Sequence, residues 1–186
     1  MSIRRTLQAA ALAAACFGLP LSAAHAQLTF SAGGGATWPL STLGNSYKTG
    51  YNVLASLGIG IPEWPVNLRV DGMFNQNQSQ AGANAGTLQM WTLNANVVWN
   101  IVQGKGVTPY LIGGVGYYND SYHVSVNGSS FAGGGNIHNN AFGINGGAGF
   151  RFGISSLSLF VESRYHYAFQ SAFNAQFIPV TVGITF

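Results

Sequence analysis

From residue 27 onward the chain alternates between apolar and polar or small residues with a period of two, the signature of a strand whose two faces see different surroundings. Leu28, Phe30, Ala32, Gly34, Ala36 and Trp38 alternate with Thr29, Ser31, Gly33, Gly35 and Thr37. Tyr51, Val53, Ala55, Leu57 and Ile59 alternate with Asn52, Leu54, Ser56 and Gly58. The same parity recurs over residues 66–75, 90–99, 110–117, 142–152, 157–167 and 177–186. Eight strands of this length, with no apolar run long enough for a membrane helix, match the roughly 9–11 residues that a tilted membrane-spanning strand needs. The predicted fold is all-β: an eight-stranded antiparallel up-and-down transmembrane β-barrel.

A soluble barrel would alternate too, so three further features decide. The connections at 62–65, 100–106 and 153–156 are short, whereas those at 39–49, 76–86, 119–139 and 168–176 are longer, the asymmetry between periplasmic turns and extracellular loops. Aromatics gather on the apolar face at strand ends, where interfacial girdles belong. Trp38, Tyr51, Phe74, Trp91, Tyr117, Phe142 and Tyr165 fall towards the long loops, and Trp64, Trp99, Phe152 and Phe186 towards the short turns. Finally, the apolar face carries no charge. The charged strand residues Arg69, Asp71, Arg151, Glu162 and Arg164 all lie on the opposite face. An Arg or Lys facing lipid at mid-bilayer costs about 2–4 kcal/mol, so these charges are expected to point into the lumen.

Composition agrees. Only 6% of the 186 residues are charged and 47% are apolar, with 26 glycines; a soluble domain carries about a quarter charged residues. Seven scattered Lys and Arg make no phosphate-tracking stripe, so no nucleic acid is expected as a partner despite the pI of 9.2. Residues 1–26 read as a cleaved signal peptide for Sec export: Arg4 and Arg5, an Ala/Leu-rich core, then Ala24, His25 and Ala26. The barrel is then residues 27–186, without the only cysteine, Cys16, and with five basic and four acidic residues.

The segments TPYLIGGVGY (108–117), FGINGGAGFRF (142–152), LSLFVESRYHY (157–167) and IPVTVGITF (178–186) resemble the small bacterial outer-membrane β-barrel domains, the OmpA-like and OmpX-like proteins. That resemblance spans the whole chain after residue 26. It implies a Gram-negative outer-membrane location and assembly by the outer-membrane insertion machinery after chaperone escort. Val182, Ile184 and the terminal Phe186 would form the assembly signal. It implies lipid and lipopolysaccharide as surroundings, and a barrel alone is expected, without a peptidoglycan-binding module.

The lumen of an eight-stranded barrel holds little beyond its own side chains. Arg69 and Asp71 on the third strand face Glu162 and Arg164 on the seventh, with Arg151 lower, and are expected to form an ionic plug rather than a gate or a narrow porin-like channel. Interior glycines (Gly58, Gly60, Gly114, Gly116, Gly147, Gly149) would make room for large side chains or leave a cavity. His123 and Ser125 superficially resemble an element of lipid A deacylases, but with only Asp120 nearby and in a loop they point to no catalytic serine. His166 is expected to be a hydrogen-bonded rim residue. His123 and His138 lack a third metal ligand. No enzyme activity, cofactor or metal is expected, and the long loop 119–139 is the candidate surface for an outside ligand.

Overall fold

The computed structural model describes residues 27–60, 64–81, 86–102, 106–123, 137–154, 157–170 and 174–186; residues 1–26, expected to be a signal peptide and including Cys16, lie outside them. Eight strands follow in chain order: β1 (Gln27–Leu40), β2 (Gly50–Gly60), β3 (Val66–Gln78), β4 (Thr87–Asn100), β5 (Val107–His123), β6 (Ile137–Ile154), β7 (Leu157–Ala168) and β8 (Ala175–Thr185). Each pairs antiparallel with its neighbour, and β8 returns to β1 to close the barrel. At the seam Ser31 opposes Thr185 and Leu40 opposes Gln176. Phe30 and Phe186 exchange backbone hydrogen bonds in both directions, at 3.3 and 2.8 Å. Closure removes every unpaired edge, which is what lets a sheet stand in hydrocarbon.

The barrel is inside out. Val115 is 63% exposed and Phe142 75%, while Asp71, Asn94 and Asn75 on the inner parity are at 0%. Both girdles occupy the outer face, with Tyr51, Phe74 and Trp91 in a continuous row (ring centroids 6.2 and 4.7 Å apart).

Two expectations change. Strands β3 to β6 run past the predicted boundaries, so Asp120 and Ser121 belong to β5 and Asn139 to β6 rather than to the loop 119–139. Backbone pairing continues above the membrane, where outward side chains are no longer apolar and the period-two hydropathy signal fades. Next, residues 41–46 of the loop predicted over 39–49 form a one-and-a-half-turn helix, α1 (Ser41–Ser46), folded over the barrel mouth. Of the two alternatives for the interior glycines, Gly147 and Gly149 take the first and make room for large side chains. A Cβ at Gly149 would stand 2.4 Å from the Tyr110 ring, and one at Gly147 would stand 2.9 Å from Arg164 Cγ.

The β7–β8 ladder has a gap. Pairing runs from Ser158↔Thr185 to Ser163↔Val180 and resumes at His166↔Phe177. Pro179 lies in the skipped stretch and has no N–H to give.

Candidate functional site: a lumen closed at two levels

Strands β3 and β7 carry their charges on inner parity and the barrel sets the two strands across from each other. Arg69 Nη2 donates to both oxygens of Glu162, each at 2.8 Å. Arg164 Nη1 donates to Asp71 Oδ2 at 2.7 Å, and Arg164 Nε stands 2.9 Å from Glu162 Oε1. Arg69 Nε is 2.8 Å from Asp71 Oδ1, an ionic contact too bent to be a hydrogen bond. Each guanidinium thus touches both carboxylates. Asn96 Nδ2 donates to Asp71 at 2.7 Å and the Tyr110 hydroxyl to Glu162 at 2.9 Å. All four ring members are buried, Arg69 being the most exposed at 7%. Buried charges persist only when paired and hydrogen-bonded; Glu162 and Asp71 Oδ2 meet both conditions, while Asp71 Oδ1 has the ionic contact with Arg69 Nε alone.

Arg151, expected in the same network, makes no ion pair among the described residues. Its guanidinium carbon sits 5.3 Å from the centre of the Tyr110 ring, so it joins the ring only through that aromatic face. Above the ring lies a neutral tier. Asn145 Nδ2 donates to Asn96 Oδ1 at 2.9 Å, Thr181 Oγ1 to Asn52 Oδ1 at 2.9 Å, and Thr37 Oγ1 to Asn75 Oδ1 at 2.7 Å.

The outer end of the lumen holds an apolar cluster, which sequence reasoning missed. Leu43, Leu88, Met90, Tyr118, Phe177 and three alanines form one buried cluster, with Tyr47 against it. Helix α1 supplies Leu43, 2% exposed, as its stopper. The helix is tied down from loop to loop: Lys48 N–H donates to Gln78 O, Gln80 N–H to Ser46 O and Gln80 Nε2 to Gly44 O, each at 2.8 Å. His166 is fully buried beneath the stopper, not at the rim. Its ring stacks on Phe177 at 4.8 Å and its Nδ1 lies 2.9 Å from the Tyr118 hydroxyl. Asp120, expected in a loop, is also buried in this mouth and accepts a hydrogen bond from Gln170 Nε2. Burial and the Asp120 carboxylate push the Tyr47 phenol above its ordinary pKa.

The arrangement offers a polar block below and an apolar block above, and among the described residues no cluster suited to hold a metal. The side chain of His123 and residues Val124 and Ser125 lie outside the described residues, as does the side chain of His138.

The model of the outer membrane protein beta-barrel domain matches residues 9–186. The chain belongs to that family. Solved outer-membrane β-barrels share its fold. Neisserial surface protein A is 17% identical with a TM-score of 0.68, over 86% of this chain and 97% of that one. A major outer membrane protein from Thermus thermophilus is 14% identical with a TM-score of 0.62, over 87% and 98%. Ail, the attachment invasion locus protein of Yersinia pestis, is 15% identical with a TM-score of 0.50, over 86% and 97%. No curated protein sequence matches the chain. As a member of the outer-membrane β-barrel family the chain is an outer-membrane protein, and its alternation of exposed apolar and buried polar residues is that of a wall between lipid and lumen.

Proposed function

We propose that this outer-membrane barrel is a closed, non-enzymatic protein that works as a structural or surface-interacting element and passes no solute. The observation that carries the reading is the double closure: a four-membered ionic ring at mid-height and an apolar stopper built on Leu43 at the outer mouth. Water must cross both, and each excludes it for a different reason, the ring by filling the section with paired charge and the stopper by packing Leu43, Leu88, Met90 and Phe177 across the mouth. Planar-bilayer recording tests it. The full-length protein should give no steady conductance, and neither deletion of residues 41–46 nor Asp71→Ala alone should open it, whereas the combination should. Steady conductance of the unaltered barrel would favour a narrow solute channel and overturn the proposal, as would a lipid A mass altered by its expression.

Export through the Sec pathway and insertion by the outer-membrane assembly machinery belong to the same proposal, with Val182, Ile184 and Phe186 as the recognised strand end. The Val182 and Phe186 side chains are more than half exposed on the lipid face, a patch that a receptor can read before the barrel closes. Deleting Phe186 should lower the amount of folded barrel in the outer membrane several-fold while refolding in detergent stays near normal, since outside the cell no receptor is involved. Equal losses in both settings would assign Phe186 to barrel closure alone.

A further inference from the structure

Two residues beyond the outer aromatic girdle, on the lipid-facing parity, the strands carry amides instead of cations. Gln76 follows Phe74, Gln89 precedes Trp91, Asn119 follows Tyr117 and Asn140 precedes Phe142. They are joined across the strands. The Tyr51 hydroxyl and Gln89 Nε2 both donate to Gln76 Oε1, at 3.2 and 3.3 Å. Asn119 Nδ2 donates to Asn140 Oδ1 at 2.5 Å, and the Tyr165 hydroxyl to Gln176 Oε1 at 3.1 Å. Among the described residues no Lys, Arg, Asp or Glu faces outward at this level; the nearest exposed charge is Lys48, in the connection before β2.

This level is where the headgroups of the outer leaflet meet the protein. A surface for phosphate would carry Lys or Arg, because a point charge or a guanidinium fork is what holds phosphate. Amides and phenols instead donate and accept neutral hydrogen bonds in both directions, which is the complement of a hydroxyl. The row Tyr51, Phe74 and Trp91 just below offers flat apolar faces for the C–H face of a sugar ring. Between β2 and β3 the belt holds a notch of about 250 Å³ lined by Thr49, Gly50, Tyr51, Gln76 and Gln78. Gln76 Oε1 is used twice inside the belt, which leaves its Nε2 and the Gln89 carbonyl for a ligand.

We infer that the belt between β2 and β4 is a binding site for the sugar hydroxyls of an outer-leaflet glycolipid, with the notch as its sugar subsite and no part played by phosphate. The inference rests on the outer-membrane placement but not on the closed lumen, so it stands or falls apart from the conductance test. The full-length barrel is placed in nanodiscs holding equal amounts of diglucosyl diacylglycerol and phosphatidylglycerol in a phosphatidylcholine background, and the lipids it retains are counted by native mass spectrometry. The diglucosyl lipid should be retained several-fold over phosphatidylglycerol, unchanged by added salt or magnesium. Gln76→Leu/Gln89→Leu should abolish the preference while keeping the heat-dependent gel mobility of a folded barrel. Preferential retention of phosphatidylglycerol that falls with salt would overturn the inference. So would an undiminished sugar-lipid preference in the folded leucine variant. Should that variant fail to fold, Gln78→Leu, which lines the notch from the exposed outer end of β3, is read in its stead against the same two outcomes.

Discussion

The Asp71→Leu barrel is expected to lose about 3–5 kcal/mol of stability in urea titrations, the cost typical of breaking a buried ion pair by removing one partner. Asp71 touches Arg69 and Arg164 and accepts from Asn96. Its loss leaves two buried guanidinium groups sharing Glu162 alone and an amide without its acceptor. Pairing the change with Arg164→Met should recover much of the loss, because the remaining Arg69 and Glu162 still form their two 2.8 Å hydrogen bonds. That recovery separates two ideas about the ring. If the ring mainly stabilised the barrel, the double variant would be weaker than the single. If it serves to close the lumen with balanced charge, the double variant is stable and only the closure weakens, as replacement of whole buried ion pairs by apolar side chains generally shows. A loss below about 1 kcal/mol for the single variant is the value of a water-screened surface pair and would mean that water reaches the ring.

Val115→Arg tests the opposite face and should cost about 2–4 kcal/mol in lipid vesicles. Val115 is 63% exposed and pairs with Ala95, midway between Trp91 and Trp99 of the two girdles. An arginine there is held in hydrocarbon, out of reach of either headgroup layer except by stretching the whole side chain. Gln78→Arg, at the exposed outer end of β3, should cost about 0–1 kcal/mol by the same depth dependence. Urea midpoints of the two variants in one lipid measure the difference directly. On a water-facing surface both substitutions would fall within about 0.5 kcal/mol of wild type, so equal small effects would remove the lipid from the outer face.

The places where sequence reading stopped short have a common cause. Alternation reports which face a residue takes only while the two faces differ in polarity. Along β5 the inward series Ile112, Gly114, Gly116 and Tyr118 continues to Asp120, and parity alone would have placed that carboxylate inside. The alternation signal stops at Tyr117 because Asn119, Asp120 and Ser121 are all polar, as outward residues above the membrane are. Leu43 carried a weaker signal, an apolar residue in an otherwise polar connection, and nothing local says that it turns back into the mouth. Arg151 shares the parity of the ring residues, yet its height on β6 sets it against Tyr110 rather than a carboxylate, and height depends on register.

By itself the sequence determined the number of strands, the face each residue takes and the inversion of polarity, because a period of two is a local property of extended chain and the cost of a charge in lipid leaves one face for it. Only the tertiary structure decided which side chains meet. Arg69 and Glu162 are 93 residues apart, and their contact exists because closure of eight strands at one register brings β3 opposite β7 at the same height. The apolar stopper is likewise a product of closure: residues from a loop helix and from strands β4 to β8 become one cluster only when the mouth they line is a ring.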